Sequence, residues 1–404
     1  MPASAIPRVE LHDATDADVV DGVLPSYVAR PTSTAQVSAV MKVAAAQHLS
    51  VVVRGAGTKS TWGNPPTRCD LVLDLGHMSG VIEHAAGDLI ASAQAGTSLA
   101  EVDATIADAG QRLGVDEVVP GTTVGGLIAS NPSGPRRMAL GTVRDLLIGV
   151  TVVRADGVIA KAGGKVVKNV AGYDLGKLII GSFGTLAVIT EATFRLHPVP
   201  AAATWVTVEA QSPFASAAFI SAAVRSQVVP AAVEIDAAPH RTTTVSLLLE
   251  GTAQGVLNRA NRAAAFLGSS AVIHHEPPTK VTGYPGDAAG RRTLLKITCQ
   301  ISSVPEIAQA AVDLGLHIRG SAGVGVLYAS TLTEVPEDVI RAIAALRALT
   351  ARTGGALVVL DAPPHIKPHL DVWGPVDGLD LMRRVKHEFD PENRLAPGRF
   401  VGGI

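Results

Sequence analysis

Residues 120–134 carry the sequence PGTTVGGLIASNPSG, in which glycine, alanine, serine and threonine occupy most positions. A protein core has little use for such a run, because small side chains forfeit packing contacts. A large flat ligand lying against the backbone requires it, and the hydroxyl groups offer hydrogen bonds to phosphates or to a ring edge. The stretch therefore predicts a ligand-binding segment, with a glycine-rich surface loop as the alternative.

A second glycine-rich turn, RGAGTKS, occupies residues 54–60 and follows an apolar strand predicted at 49–54. Two glycines after a buried strand allow backbone N–H groups to converge on an anion. A Rossmann loop would need glycine where Ser60 stands and a helix where TWGNPP follows, and a P-loop would need glycine in place of Thr58. We therefore expect a nest of loop amides to hold the anion, the alternative being an ordinary strand turn.

The sequence around these two motifs alternates between helix and strand patterns. The predicted elements are a helix at 32–48 capped by Thr32 or Ser33, strands at 70–75, 89–95 and 186–196, a helix at 99–109, and a hairpin of strands at 150–154 and 158–161. Strands that alternate with helices are typical of an α/β arrangement.

A boundary is predicted near residue 202, where prolines and an alanine run separate two different patterns of predicted helices and strands. Residues 206–267 follow the order strand, helix, strand, strand, helix, which indicates an α+β unit of ferredoxin-like type. Helix and strand patterns return at 294–359, but no sequence repeat is sharp enough to indicate duplication. We expect a first domain at 1–202, a second at 203–375 and a separate C-terminal segment at 376–404.

Composition excludes several classes of protein. The 404 residues carry a formal net charge of -2 and no polybasic patch, so nucleic-acid binding is not expected. Glycines interrupt the longest apolar runs, and the N-terminus has no apolar stretch typical of a signal peptide, so neither a spanning helix nor secretion is expected. Two cysteines cannot build a disulfide scaffold or hold an iron–sulfur cluster alone. We expect a cytoplasmic protein.

Four separated motifs together resemble one known family. RGAGTKS and PGTTVGGLIASNPSG, with GTVRDLLIGVTVV at 141–153 and NVAGYDLGKLIIGSFGTLAVITEATFRL at 169–196, are similar to the flavin-binding domain of the vanillyl-alcohol-oxidase (PCMH-type) superfamily. The match is nearest to the FAD-binding subunit of glycolate oxidase, and FDPENRLAPGRF near the C-terminus resembles that family's closing element. The resemblance implies an α+β fold: a two-part FAD domain, a second domain, and a tail at 376–404 that packs back on the FAD domain.

The resemblance also implies which residues contact FAD. Matching positions in this sequence are Arg54, Gly55, Ala56, Gly57, Thr58, Lys59, Ser60, Pro120, Gly121, Thr122, Thr123, Gly125, Gly126, Ala129, Ser130, Ser133, Gly134, Gly141, Asp145, Gly184 and Ile189. Many relatives attach the flavin through a histidine of an RGxGH motif, and Thr58 stands at that position here. The flavin is therefore expected to be non-covalent. For Asp145 the alternative is a local charge pair with Arg144.

Catalytic residues are less clearly marked. A flavin that oxidises a hydroxy acid needs a cation for the carboxylate, a proton acceptor and positive charge near the reduced ring. Lys165, Lys168, Tyr173 and Lys177 are the right chemical types within one short span. The alternative is that these side chains are solvated or brace the loop. No metal site is expected, because Pro368 interrupts the HxxxH pair at 365 and 369 and the relatives' HxGDGNLH motif is missing.

Two functions remain open at this point. The first is an FAD-dependent oxidoreductase acting on glycolate or D-lactate, which passes electrons to a partner because this chain holds no cluster. The second is an FAD-bearing relay or structural subunit of a hetero-oligomer. A third, an FAD-dependent reductase of a cell-wall nucleotide sugar, matches the residues after Gly163 less closely. The resemblance implies a sister FAD subunit and an iron–sulfur subunit as partners, and at most peripheral membrane association through them.

Overall fold

Two hydrophobic cores organise the chain, one in each of two successive regions. The computed structural model describes residues 9–165, 174–278, 283–286 and 293–404. The first region ends near residue 200, and the second region ends near residue 372. Mixed helix and sheet run through both, which confirms the α+β fold class, while the exact domain boundaries stay a prediction. Among the described residues no helix has the length and hydrophobicity needed to cross a membrane.

The first region carries two main sheets and a set of mostly short helices. Its elements are β1 Glu10–Asp13, β2 Tyr27–Arg30, α1 Thr34–Ala46, β3 Val51–Arg54, β4 Leu71–Asp74, β5 Val81–Ala85, β6 Ile90–Gln94, α2 Leu99–Ala107, β7 Gln111–Arg112, α3 Val124–Ser130, α4 Arg137–Leu140, α5 Val143–Leu146, β8 Leu147–Val153, β9 Ile159–Gly163, α6 Gly176–Ile179, β10 Val188–Arg195 and β11 His197–Pro198.

Each of the two glycine-rich motifs follows or packs against a different one of the two main sheets. The first sheet has the order β1-β2-β4-β3, with β2, β4 and β3 parallel, and the second has the antiparallel order β5-β6-β10-β8-β9. The Arg54–Ser60 turn leaves the end of β3, and the other motif runs into α3. Helix α1 begins after Ser33, whose hydroxyl accepts a hydrogen bond from Gln36 N. Its buried face holds the predicted Val37, Val40, Met41 and Ala44.

The second region is a single antiparallel sheet covered by helices. Its elements are β12 Ala202–Ala210, α7 Ala217–Arg225, β13 Ala232–Ala237, β14 Thr243–Gly251, α8 Ala253–Leu267, β15 Val272–His274, β16 Thr293–Thr298, α9 Val304–Asp313, β17 His317–Ser321, β18 Val326–Thr331, α10 Pro336–Arg352 and β19 Ala356–Asp361. The described strands lie in the order β15-β12-β14-β13-β17-β18-β16-β19.

This sheet contains one topology twice, which the sequence did not reveal. Strands β12 to β15 with α7 and α8 follow the order strand, helix, two strands, helix, strand, and β16 to β19 with α9 and α10 repeat it. In each unit the fourth strand pairs with the first, the first with the third, and the third with the second. Both units are therefore ferredoxin-like, and β13 pairs with β17 to join them.

The C-terminal segment lies against the first region. Helix α11, Leu379–Phe389, precedes a stretch that pairs with β3: Val51 N donates to Arg394 O and Ala396 N donates to Val51 O, both at 2.8 Å. The buried Lys386 Nζ donates to Asp390 at 2.7 Å and to Thr185 O at 2.7 Å. Residues 394–396 thus lie beside the strand that carries the RGAGTKS turn.

Candidate functional site

The two glycine-rich motifs form opposite walls of one groove. A Cβ on Gly55 would overlap Thr123 Oγ1, which shows how closely the backbones approach each other. Four residues along the turn, Lys59 Nζ donates to Thr122 Oγ1 at 2.7 Å. These contacts bring together two stretches about 65 positions apart in the sequence, as the resemblance implies.

The groove has two connected parts. The first encloses about 550 Å³ and the second about 460 Å³, and they share the wall residues Val53, Gly55, Thr123, Gly126, Ala129 and Phe183. Further wall residues of the first part are Arg54, Ala56, Gly57, Thr58, Lys59, Ser60, Ser130 and Arg399. Those of the second part are Leu75, Ala95, Gly125, Gly184, Ala187 and Ile189. Most of this surface is backbone or small side chain, which suits a long flat ligand.

The Arg54–Ser60 turn presents unbonded backbone amides to the groove. No helix follows the turn. A hydrogen bond from Ser60 N to Gly57 O, at 3.1 Å, closes the turn. In the described part of the chain, the amides from Gly55 to Lys59 donate to no other backbone or side-chain acceptor. Such successive free N–H groups form an anion-binding concavity. The structure agrees with the expected loop nest and excludes a Rossmann-type helix start.

The PGTTVGGLIASNPSG stretch is not the open glycine-rich surface loop that was the alternative interpretation. It contains helix α3, and Thr123 Oγ1 caps it by accepting from Gly126 N at 3.2 Å. Val124 N and Gly125 N donate to Thr97 O and Ala95 O, both at 2.8 Å, so these amides are already satisfied. A Cβ on Gly125 would lie 3.1 Å from Ala95, so Gly125 lets α3 pack closely against the sheet.

All three cations in the groove wall, Arg54, Lys59 and Arg399, have polar partners within the protein. Arg54 donates to Asp18 and Asp74, each at 2.9 Å, so its guanidinium braces the turn and is already neutralised. Lys59 is bonded to the neutral hydroxyls of Thr58 and Thr122. Burial lowers the pKa of Lys59 to about 8, although the negative charge of Glu117 acts in the opposite direction and raises it.

The third cation, Arg399, was missed by the sequence reasoning. It comes from the C-terminal tail, is only 5% exposed, and donates from Nη2 to Ser60 O and Trp62 O, both at 2.7 Å. The FDPENRLAPGRF motif had pointed to the tail without indicating which side chain reaches the groove. Phe183 was missed as well, because an isolated aromatic residue in a glycine-rich stretch carries no pattern.

Several predicted contact residues lie outside the groove wall. Pro120, Gly121 and Thr122 do not line the groove: Pro120 and Gly121 are exposed, and Thr122 Oγ1 donates to Val119 O at 2.6 Å. The Asp145 carboxylate accepts from the Thr142 amide and hydroxyl in a capping box, and Gly141 lies against it. Asp145 is thus bonded to Thr142 and not paired with Arg144, which was the alternative. Contact of Gly141 and Asp145 with FAD stays a prediction.

The predicted catalytic lysines also lie away from the described groove wall. Lys165 is exposed and pairs with Glu83 at the sheet edge. Lys177 Nζ donates to Leu147 O at 2.7 Å, pairs with Asp174 at 3.1 Å, and borders a separate apolar cavity beside α11. Lys168 and Tyr173 lie outside the described residues. Among those described, no three histidine, cysteine, aspartate or glutamate side chains are grouped to hold a metal ion.

A smaller cavity lies between the two regions and contains the predicted Ser133 and Gly134. It encloses about 300 Å³, with Glu234, Tyr284 and Tyr328 among its walls. The carboxyl of Glu234 is buried and accepts from Ser321 Oγ. Burial raises the pKa of Glu234 to about 8, because its effect is larger than the lowering by the hydrogen bond from Ser321. The carboxyl group is therefore protonated at neutral pH. Tyr284 Oη is buried without a hydrogen-bond partner among the described residues.

Comparison with known proteins agrees with this geometry. A family model described as an FAD binding domain matches residues 25–163. Glycolate oxidase subunit GlcD of Bacillus subtilis is 28% identical over 93% of this chain and 89% of its own length. D-lactate dehydrogenase of Archaeoglobus fulgidus is 41% identical over 42% of this chain and 38% of its own length. Glycolate oxidase subunit GlcE of Escherichia coli is 36% identical over 38% of this chain and 43% of its own length.

Solved structures share the fold at low sequence identity. Glucooligosaccharide oxidase of Acremonium strictum, described with 6-S-cysteinyl, 8α-N1-histidyl FAD, superposes with a TM-score of 0.68 at 17% identity, covering 96% of this chain and 95% of that protein. The fold of both regions is therefore shared with that enzyme. Because the FAD binding domain match and the full-length relative agree, residues 25–163 form an FAD-binding domain of the PCMH type, and the chain is an FAD-linked oxidoreductase.

Proposed function

We propose that the chain oxidises a small 2-hydroxy acid, glycolate or D-lactate, with non-covalently bound FAD and passes the electrons to a partner protein. Glycolate oxidase subunit GlcD, which aligns over 93% of this chain, and the D-lactate dehydrogenase of Archaeoglobus fulgidus support the substrate class. The alignments with glycolate oxidase subunits GlcD and GlcE support a role as one subunit of a complex, and the partners we propose are a second FAD subunit and an iron–sulfur subunit.

The observation that carries the proposal is the groove between the two glycine-rich motifs. Its free amides from Gly55 to Lys59 suit a diphosphate, and its small wall residues, such as Gly126 and Ala129, suit a flat ring. When bound there, FAD would supply the acceptor for the hydride. The residues of this chain would hold the cofactor, and Phe183 would help to exclude water from the groove.

Non-covalent attachment is proposed from the side chains around the groove. Covalent FAD in the Acremonium strictum oxidase is cysteinyl and histidyl. Neither residue type occurs among the described residues that line this groove, and Thr58 takes the position of the attaching histidine. Cys69 is buried in a separate apolar cluster. Acid precipitation is expected to release all of the flavin into the supernatant, and a yellow pellet would contradict this part of the proposal.

The experiment that tests the function is an anaerobic titration of the FAD-loaded chain. Glycolate and D-lactate are added separately, with L-lactate as the control of opposite configuration, and the visible absorbance of the flavin is followed. Bleaching by glycolate or D-lactate at a catalytic rate supports oxidation by this chain alone. An unchanged spectrum of the isolated chain that retains FAD, together with bleaching of the co-purified complex, would assign the chemistry to a partner.

A second candidate function is an FAD-bearing relay subunit without its own substrate site. It is favoured by the positions of Lys165 and Lys177, which pair with other residues away from the described groove wall. In that case the chain purifies with larger partners from its native context, and only the complex bleaches with substrate. A fully active isolated chain would exclude this candidate.

A further inference from the structure

Residues 60–64, which we call the exit segment of the RGAGTKS turn, are held by residues from the second region and the tail. Each peptide group of this segment makes a hydrogen bond to one of them. The bonds run from Arg399 Nη2 to Ser60 O and Trp62 O, both at 2.7 Å, from Lys367 Nζ to Thr61 O, from Gly63 N to Leu360 O at 3.0 Å, and from Asn64 N to Arg399 O at 3.1 Å. The path of the chain after the turn is therefore set from outside the first region.

Lys367 makes its part of this contact inside the protein. Its side chain is 2% exposed, and Nζ donates to Asp21 Oδ2 at 2.6 Å and lies 3.6 Å from Asp361 Oδ1. Asp361 in turn accepts a hydrogen bond from Thr61 Oγ1 at 2.8 Å. Lys367 is thus connected to Thr61 twice, directly through the carbonyl and indirectly through the hydroxyl.

Arg399 completes a largely buried cluster of two acids and two bases. Burial lowers the pKa of Arg399, and the negative charges of Asp21 and Asp361 act on it in the opposite direction. Asp21 belongs to the first region, Asp361 and Lys367 to the second, and Arg399 to the tail. Because buried charges are costly unless they are paired, the cluster is stable only while these three parts of the chain are docked together.

The exit segment is one of two ends at which the turn is fixed. At the other end, where β3 ends, the Arg54 side chain is braced by Asp18 and Asp74 within the first region. A carbonyl and the following amide lie in one rigid peptide plane, so holding the carbonyls of residues 60–62 fixes the planes that follow Lys59. Successive free amides converge on one anion only if the backbone that carries them is held in place.

We propose that Lys367 is a positioning residue of the RGAGTKS turn, and that it couples docking of the second region to retention of the cofactor. The inference rests on the proposed binding of FAD in this groove, and Lys367 itself does not line the groove. Coupling between two equilibria is reciprocal. Bound FAD should therefore hold the second region against the exit segment in return.

The first measurement is the rate of FAD release from the full-length chain, followed by flavin fluorescence after dilution. Lys367→Met is made alone and together with Asp21→Asn, which restores the charge balance of the cluster. We expect both to release FAD about tenfold faster than the wild type. Arg112→Met is the matched control, because Arg112 pairs with Glu250 of the second region at 2.6 Å, Arg136 still neutralises Glu250, and neither arginine touches the exit segment. It should release FAD at the wild-type rate.

The second measurement is hydrogen exchange with and without FAD, which tests the reciprocal effect. In the wild type and in Arg112→Met, FAD should slow exchange in residues 60–64 and also in residues 366–370, which contain Lys367. In Lys367→Met the slowing at 366–370 should be lost. A general loss of stability would not produce this pattern, and the wild-type comparison decides the inference even if Lys367→Met fails to fold.

Three results would overturn the inference. Wild-type FAD release restored by Asp21→Asn would mean that Lys367 only balances charge. Release from Arg112→Met as fast as from Lys367→Met would mean that any break between the regions loosens FAD. Absence of FAD-dependent slowing at 366–370 in the wild type would exclude the coupling. The proposed function fails separately, when the wild-type chain binds no FAD or when its bound FAD is not reduced by a hydroxy acid.

Discussion

The groove and the smaller cavity between the two regions are built in opposite ways. The groove consists mostly of backbone and small side chains, and its two main walls are each one continuous stretch of sequence. The cavity is lined by large polar side chains, such as Glu234, Tyr284 and Tyr328, from strands and loops far apart in the chain. A site of the first kind depends on where side chains are missing, and a site of the second kind depends on which side chains are present.

The largest effect is expected from Gly55→Ala, which tests the backbone-built groove. The new Cβ would overlap Thr123 Oγ1, the cap of α3, and would force the two walls apart. FAD retention should be lost, as measured by the ratio of flavin to protein after gel filtration. Gly87→Ala is the matched control, because a Cβ there meets nothing within 4 Å. Normal flavin content in Gly55→Ala would contradict the assignment of the groove.

A smaller change is expected from Glu234→Gln, which tests the cavity. The pKa of Glu234 is about 8 in the folded chain and near 4.5 when unfolded, so only the unfolded state loses its proton between these values. The unfolding free energy of the wild type should therefore fall by about 3 kcal/mol from pH 5 to pH 8. The glutamine variant lacks this decline, as chemical denaturation at each pH would show. Parallel pH profiles for the two proteins would refute the prediction.

Lys59→Met is expected to act on the groove through charge, with a loss of FAD affinity of about three- to tenfold at pH 7. The pKa of Lys59 is about 8, and an anionic ligand would raise it, so binding takes up a proton as the pH passes that value. Wild-type affinity should therefore fall above pH 8, and that of the variant should stay flat. Isothermal titration across pH 6.5–9.5 measures both. A wild-type affinity that rises with pH would exclude this role.

The smallest effect is expected from Tyr284→Phe. Its buried Oη lies close to the Tyr328 hydroxyl but makes no hydrogen bond of normal geometry with a described residue, so removing it should leave stability unchanged or raise it by up to about 1 kcal/mol. Tyr328→Phe is the comparison, because its Oη donates to Ser133 O at 3.2 Å and its loss should cost about 1 kcal/mol. Thermal unfolding of both variants provides the measurement. Equal destabilisation would show that Tyr284 Oη has a partner after all.

The sequence located the two main walls of the groove because the signal of each wall is local. RGAGTKS and PGTTVGGLIASNPSG each lie in one stretch, and the absence of a helix after Ser60 followed from TWGNPP. The sequence-based prediction failed where contacts are long-range. The Arg399 side chain bonds the Ser60 carbonyl across 339 positions, and no periodic pattern in the sequence indicates that contact. The repeated topology of the second region was hidden because its two halves share strand order rather than residues.

The junction of β13 and β17 gives that hidden repeat a physical meaning. Each of these strands would be the exposed outer strand of its unit if the unit stood alone, and an unpaired outer strand invites misassembly. Instead they pair with each other, and Asp236 of β13 lies opposite Arg319 of β17, bonded at 2.7 Å. A slip of one residue would separate these buried charges. The junction thus admits one alignment, and neither half should be a viable protein by itself.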